Sequence, residues 1–328
     1  MTSLATDAVQ VSSALSTDVD EQAALLGDWT QRYQQLSPGT FVGSLCQAQF
    51  ASIQLFRETT SQRVHEVGAA APESMVFAVA RSTASEPVRW RGKAVIATDV
   101  AFFPGHAEFD IVLPVACQLH AVAIDLAEFC RYAQDLSAND VPFHIPRCAQ
   151  VLSSPAQQSR FAHFVEGSLQ AVIDTPPTRH LPQAQKALRE DIYGHIFDLL
   201  DARVEATVTL TPTRRFALVN EVRRYANERT DVVPSVAEIC RAFGVSRRSL
   251  QYAFEEVVGV NPVSYLRALR LNGVRRAIKE AGGNTRILEL AARWGFWHPS
   301  HFSASYKQLF GESPSATHDR HRMHAAGD

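Results

Sequence analysis

Apolar residues change their spacing several times along this chain, and the changes divide it. Residues 1 to about 20 are rich in Ser, Thr, Ala and Asp with weak periodicity and read as a mobile tail. A helix is expected around Glu21 to Leu36, ended by Ser37-Pro38-Gly39. From Phe41 to Ile124 the apolar positions gather into short segments broken by Gly and Pro, among them SMVFAVA, VRWRGKAVIATDVAFFPG and AEFDIVLP. That texture, rich in Val, Ile, Phe and Thr, predicts an antiparallel β sandwich or barrel. From Leu126 the period turns helical. Ala156 to Ile173 and Gln183 to Val204 each carry an apolar stripe, the second at Ala187, Leu188, Ile192, Ile196, Leu199 and Leu200. Residues 206–213, rich in Thr and Pro, suit a linker, and helical patterning resumes at Arg214.

The C-terminal third says nearly the same thing twice, as VAEICRAFGVSRRSLQYAFEEVVG (Val236–Gly259) and ILELAARWGFWHPSHFSASYKQLFG (Ile287–Gly311). Glu238 and Gly244 recur as Glu289 and Gly295, and Leu250, Phe254, Gly259 and Pro262 recur as Phe302, Tyr306, Gly311 and Pro314. Each copy predicts two short helices joined by a tight turn. In the first, Val236, Ile239, Cys240 and Phe243 form one apolar face, Gly244 ends the helix in a left-handed conformation, and Ser246 caps the next. This is a helix-turn-helix signature. The second helix buries Leu250, Phe254 and Val257 or Val258, leaving Arg247, Arg248, Gln251, Tyr252 and Glu255 outside. Arginine and glutamine there suit guanine and adenine edges in a major groove. A solvated face is the other reading of one such helix; two copies in a basic segment favour DNA.

The motifs SRRSLQYAFEEVVGVNPVSYLRALRLNGVRRAI and ILELAARWGFWHPSHFSASYKQLFGESP resemble the DNA-binding domain of the AraC/XylS family of bacterial transcription regulators, over about residues 214–320. The resemblance implies two helix-turn-helix units held by a long helix, Pro262 to Ala281, which Gly282-Gly283 ends and in which Tyr265, Leu266, Leu269 and Val274 pack. The recognition helices would enter successive major grooves about 34 Å apart. By position, Arg248, Gln251 and Tyr252, with Arg247 beside them, are the base-reading candidates of the first unit, and Ser300, His301 and Ala304, with Ser305, those of the second. Ala304 stands where several relatives carry a long polar side chain. The second unit is therefore expected to hold phosphates more than to read bases, with His298 and Ser300 near its helix start. Trp294 and Phe296 are expected to pack.

The same resemblance implies a cupin-like N-terminal barrel that senses a small-molecule effector, RNA polymerase as a partner, and an activating role. It also implies a homodimer formed through the two helices after the barrel, which could equally cap it. GFWHPSHFSASYKQLFGESPS resembles a branch of the family that includes the ethanolamine operon regulator, which points to a small amine or amino alcohol. The expected fold is α+β: a cupin-like β barrel or sandwich with flanking helices over residues 21–205, then an all-α domain with two helix-turn-helix units over 214–320, and a tail at 321–328.

Composition sharpens this division. From Arg214 onward there are 18 Lys/Arg against 11 Asp/Glu, net +7, whereas the rest has 14 against 23, net −9. Only the C-terminal part has the electrostatics of a DNA binder. Arg223, Arg224, Arg267, Arg270, Arg275 and Arg276 are candidates for phosphate contacts or for salt bridges, and sequence does not separate the two. In the β-rich part, Phe77, Trp90, Phe103, His106 and Phe109 are candidates for an apolar effector pocket. His65, His106, His120 and His144 lack the paired spacing and following carboxylate of a metal site, so no metal or cofactor is expected. The five cysteines, at 46, 117, 130, 148 and 240, are scattered. That argues against a disulfide framework and against the zinc-bound cysteine cluster of the rival reading, an alkylation-repair methyltransferase carrying a DNA-binding module. A dimeric DNA binder without an effector is a third reading. With no apolar run of membrane-spanning length and no secretory signal, the chain is expected in the cytoplasm and away from membranes.

Overall fold

The computed structural model describes residues 9–50, 52–84, 86–95, 100–136, 150–152, 155–175, 180–201, 207–209, 213–228, 234–281 and 286–325. Its strands are β1 (Gln10–Ser16), β2 (Thr30–Gln35), β3 (Gly43–Phe50), β4 (Ile53–Thr60), β5 (Val64–Ala69), β6 (Ser74–Ser82), β7 (Val88–Trp90), β8 (Lys93–Val95), β9 (Val100–Pro104), β10 (Phe109–Leu113), β11 (Cys117–Asp125), β12 (Gln150–Leu152) and β13 (Thr207–Thr209). Helix α1 (Val19–Ala24) precedes β2, and α2 (Leu126–Leu136), α3 (Pro155–Asp174) and α4 (Pro182–Asp201) follow β11. The C-terminal domain holds α5 (Arg214–Asn227), α6 (Val236–Phe243), α7 (Arg247–Val258), α8 (Pro262–Glu280), α9 (Ile287–Arg293), α10 (Pro299–Phe310) and α11 (Pro314–Ala325).

The strands form one sheet in the order β1-β3-β4-β11-β6-β9-β12-β13 and another in the order β2-β5-β10-β7-β8. Neither sheet closes on itself, so the expected barrel or sandwich is a sandwich. Strand alternation assigns its layers. Val76, Ala78, Phe103, Leu119 and Ala121 of the larger sheet face Trp90, Phe109, Ile111 and Leu113 of the smaller one. Their neighbours Phe77, Val79, Phe102 and Val122 face outward, onto Phe129 of α2, Val165 and Leu169 of α3, and Ile192 and Ile196 of α4. Of the α4 stripe, open in sequence between dimerising and capping, Ile192 and Ile196 are covered by the chain's own sheet and Leu188 packs against it, while Ala187 is exposed. On the far side, Leu36 and Val112 join the core of the C-terminal domain. The order of layers is helices, large sheet, small sheet, DNA-binding helices.

Several expectations need correction. Residues 10–16 are not part of a loose tail. As β1 they pair with β3 along their length, Gln10 opposite Gln49 and Ser16 opposite Gly43. The helix expected over 21–36 stops at Ala24, and Thr30–Gln35 pair with β5 as a strand; Gly27-Asp28 interrupts the helix, and Tyr33, 1% exposed, is buried from the strand. In the expected linker, the β-branched run Thr207–Thr209 pairs with β12. At the C-terminus α11 runs past 320 to Ala325, into the expected tail. His144, Cys148 and Gly282-Gly283 lie outside the described residues.

Candidate nucleic-acid interface and inter-sheet cleft

In the first helix-turn-helix unit, local chemistry fixes both helices. The Ser235 side chain accepts from the Glu238 amide, and the Glu238 carboxylate accepts from the Ser235 amide, a capping box that starts α6. Gly244 ends α6 at φ 61°, the left-handed conformation expected of it. Ser246 then caps α7 by accepting from the Ser249 amide at 3.1 Å. Leu250, Ala253, Phe254, Val257 and Val258 are buried, while Arg247, Arg248, Gln251 and Tyr252 lie exposed along the other face. On that face the Arg248 guanidinium stands over the Tyr252 ring and donates to its hydroxyl at 3.1 Å, and Gln251 donates to Glu255 at 3.0 Å.

The second unit is built differently. Arg286 and His298 begin α9 and α10 without a side-chain capping bond, and Gly295 turns the chain at φ 79°. Aromatic packing replaces the caps: Phe296 packs on Phe302, Phe302 on Tyr306 and Tyr306 on Phe310, with centroids 5.3, 5.7 and 4.6 Å apart. The Trp294 ring lies against Gly273 of α8, where a β-carbon would stand 2.3 Å from the indole. Ser300, His301 and Ala304 are exposed on α10, Ser305 is half-buried, and His298 is exposed at its start. Trp297, weighed from sequence as a core or turn residue beside Trp294 and Phe296, is instead 79% exposed in the turn before α10.

The six arginines that sequence left undecided now separate. Arg275 is buried and pairs with Asp18 and, at 2.8 Å, with Glu312; Lys279 reaches Asp18 at 2.6 Å, and Arg276 reaches Asp20 at 2.6 Å. Arg223 pairs with Asp110 at 2.8 Å and Glu108 at 3.1 Å. These cations hold the N-terminal domain. Arg270 is half-buried and donates to the Pro234 carbonyl at 3.5 Å, Arg224 faces Glu221 and Glu228 on its own helix, and Arg267 is exposed. Burial alone would raise the Asp18 and Asp110 carboxyls; Arg275 and Lys279 beside the one, and the His65 imidazole bonded to the other together with Arg223, outweigh it and hold both below the usual carboxylate range.

Both recognition helices end in a left-handed glycine that rests on the sandwich. The Gly259 carbonyl accepts from Arg63 at 3.4 Å, with Arg89 packed beside it. At the second, Gly311 lies against Thr40, and the Leu309 carbonyl accepts from the Gly39 amide at 3.1 Å and from Gln35 Nε2 at 2.6 Å. Between them α8 lies along β2. The Asn272 amide takes the place of a neighbouring strand, donating to the Gln35 carbonyl at 3.1 Å and accepting from its amide at 3.3 Å. Arg276 donates to the Tyr33 carbonyl at 2.8 Å. The tip of the β7–β8 hairpin, Arg91-Gly92, with φ 46° and 76°, sets Arg91 over the Phe216 ring and Gly92 against Val257.

The effector candidates divide. Trp90, Phe103 and Phe109 line a narrow cleft between the sheets, with Trp29, Tyr33, Phe56, Glu58 and Glu66. Phe77 does not: alternation along β6 sends Val76 into the cleft and Phe77 to the helical layer, where it stacks on Phe102 at 5.7 Å. His106 is exposed on the turn after β9. Sequence reading also missed the polar groups of the cleft. The Glu58 carboxylate accepts from Gln22 at 2.9 Å and from the Tyr33 hydroxyl at 3.2 Å. Burial pushes Glu58 up to about 7 against those hydrogen bonds, and it pushes Glu66 well above its ordinary value, helped by the Glu58 charge. A wider groove between the domains, lined among others by Arg32, Arg91, Arg223, Glu108 and Glu221, is open to solvent, whereas the cleft is a tight, mostly apolar seam around two carboxyls.

Two exposed helix faces, each set by a left-handed turn on a common connecting helix, make the C-terminal domain a double helix-turn-helix DNA-binding module. Residues 239–320 match a family profile described as a helix-turn-helix domain. The segment is 40% identical over 82 residues to a probable thc operon regulatory protein of Rhodococcus erythropolis, covering 25% of each chain. The XylDLEGF operon transcriptional activator 1 of Pseudomonas putida is 27% identical over 190 residues, 58% of this chain and 56% of that one. Residues 239–320 are therefore a helix-turn-helix domain similar to those of these operon regulators. The chain spans 25% and 56% of the lengths of these two relatives. The solved structure of the AraC-like transcriptional activator CuxR shares 15% identity over 86% of this chain and 100% of that one, at a TM-score of 0.38, too slight a likeness to add to the fold. Among the described residues no helix is long and apolar enough to cross a membrane.

Proposed function

We propose that this chain is a ligand-responsive DNA-binding regulator, an activator of a catabolic operon, in which an effector held by the sandwich changes how two recognition helices meet a promoter. The observation that carries this reading is the seating of both helices on the sandwich by Gly259 and Gly311, while their N-terminal faces stay exposed. Arg247, Arg248, Gln251 and Tyr252 would meet base edges, and His298, Ser300, His301, Ala304 and Ser305 mainly phosphates. Residues 10–209 would form the sensing domain and 213–325 the DNA-binding domain.

A route from cleft to DNA-binding domain supports the coupling. Tyr33 offers its hydroxyl to Glu58 inside the cleft and its carbonyl to Arg276 outside it. Gln22 bonds Glu58 from α1, the helix capped by Asp18, whose carboxylate holds Arg275 and Lys279. RNA polymerase is the partner an activator engages. A homodimer would not use Ile192 and Ile196 of α4, which the chain's own sheet covers fully.

Footprinting of the purified protein on its own upstream region and adjacent promoters, with and without a panel of small amines, alcohols and acids, tests the reading. Two protected half-sites about 34 Å apart, altered by one compound, are expected. Protection indifferent to every compound would keep the DNA-binding function and remove the effector. No protection at any promoter would remove both.

A further inference from the structure

We infer that Trp297 is a DNA contact of the second helix-turn-helix unit, its indole laid on the sugar edge of the groove and its Nε1–H given to a phosphate oxygen. This rests on the DNA-binding reading above and adds to it a residue that holds the backbone.

The two turns, set side by side, give the first argument. Gly244 and Val245 of the first unit match Gly295 and Phe296 of the second, and Ser246 and Leu250 match His298 and Phe302. Trp297 stands between these matches with no counterpart. Val245 and Phe296 both pack against the core of the domain, so the place inside is filled before the added residue is reached. Its side chain has nowhere to go but out, and it is 79% exposed.

The other tryptophans are all supported by the protein. Trp90 is 3% exposed, Trp294 lies on Gly273 of α8, and Trp29 donates to Gln54 at 3.0 Å. Trp297 alone keeps a large apolar ring in water, and any surface that covers the ring gains the free energy of that area.

Its position selects the surface. Trp297 immediately precedes His298, where α10 begins, and the exposed Ser300, His301 and Ala304 follow on the recognition helix. The start of that helix is the part that enters a major groove, so a residue just before it meets the rim, where sugars and phosphates lie. The local charge has the matching sign. From Leu290 to Gly311 the chain carries Arg293 and Lys307, both exposed, and no carboxylate. A polyanion is the partner that such a segment attracts.

The indole suits this rim chemically. Its nitrogen is a donor only, and phosphate oxygens are acceptors. Its flat ring covers the apolar C–H groups of deoxyribose while the N–H stays at the wet edge. Neither contact reads a base, in keeping with the short Ser300 and Ala304 side chains on the same helix. Nor does either contact carry a charge.

The test is a titration of the full chain onto two duplexes of equal length, its own upstream region and a random sequence, at about 50 mM and about 200 mM salt. Trp297→Ala is expected to weaken binding to both duplexes about tenfold, by the same factor at both salt concentrations because no charge is lost. Trp297→Phe, which keeps a ring and loses the N–H, is expected to fall between. The tryptophan fluorescence of the native chain should change when either duplex is added, and most of that change should vanish in Trp297→Phe. Unchanged thermal unfolding of both variants, expected of so exposed a residue, would assign the loss to the contact itself. A loss confined to the upstream duplex would make Trp297 a base reader and overturn the backbone assignment. Unchanged affinity and fluorescence response in both variants would overturn the DNA contact and leave the indole to a protein partner. Failure of the native chain to bind either duplex would overturn the DNA-binding reading, and this contact with it.

Discussion

The two helix-turn-helix units descend from one sequence pattern yet are held by different forces. The first is secured by its own backbone chemistry: a capping box at Ser235, a left-handed Gly244 and a second cap at Ser246. The second has no side-chain cap at either helix start, and relies on a stack of aromatic rings, on Trp294 against Gly273, and on the Tyr306–Thr317 bond at 2.9 Å beside buried Arg275. Their exposed faces differ in the same sense, with arginines and a glutamine on α7 and a serine, a histidine and an alanine on α10. A unit whose helices carry their own caps can be spent on reading bases. A unit bound into the rest of the molecule serves better as the part that the rest of the molecule positions.

The largest test of this contrast is Arg275→Ala, which leaves the buried Asp18 carboxylate and the half-buried Glu312 carboxylate short of a cation. A loss of about 3 to 5 kcal/mol in denaturant unfolding is expected, with the second unit loosened first in hydrogen exchange. Equal loosening of both units would break the contrast. The Asp18 pairing also has a pH signature. Because the folded carboxyl is held below its unfolded value, its contribution is complete above about pH 5 and drains away in acid, and Asp18→Asn should flatten that limb of the stability profile.

Next in size is Gly273→Ala, whose new methyl meets Trp294, at a cost of about 1 to 3 kcal/mol; an unchanged unfolding curve would mean that the indole is not a fixed support. On DNA, Arg248→Ala should lose about 1 to 3 kcal/mol at the cognate site and little on random duplex, whereas His301→Ala should lose less and equally on both. The reverse pattern, in binding titrations on the two duplexes, would exchange the roles of the units. Smallest are the caps: Ser235→Ala should cost about 1 kcal/mol, and His298→Ser, by supplying the missing cap to α10, should gain up to about that amount in thermal unfolding.

Sequence revealed most where structure is decided locally. The Gly244 turn, the Ser246 cap and the apolar face at Leu250, Phe254 and Val257 all lie within a few residues of the signals that announce them. It revealed least where partners are far apart. Asp18 and Arg275 are 257 residues apart, and nothing nearby marks either as a partner, so the tail reading at one end and the undecided phosphate-or-salt-bridge reading at the other both follow. Among the effector candidates, aromatic character was legible but side was not. Val76 and Phe77 differ only in which layer the pleat sends them to, and that depends on β6 lying between β11 and β9. Glu58 and Glu66 carry no local signal of a cleft, and only the facing of the two sheets encloses them.

The paired seats of Gly259 and Gly311 bear on how tightly promoter DNA would be gripped. Two weak readers on one frame act through effective concentration: once the first is in its groove, the second gains about a hundredfold to ten-thousandfold if the frame offers it at the right distance, and nothing if it does not. Both seats lie on loops or strand ends of the sandwich, at Gly39-Thr40 and at Arg63 and Arg89, rather than on the DNA-binding domain itself. A change of an ångström or so between those points would leave each helix as good a reader as before. It would still change the avidity of the pair by orders of magnitude.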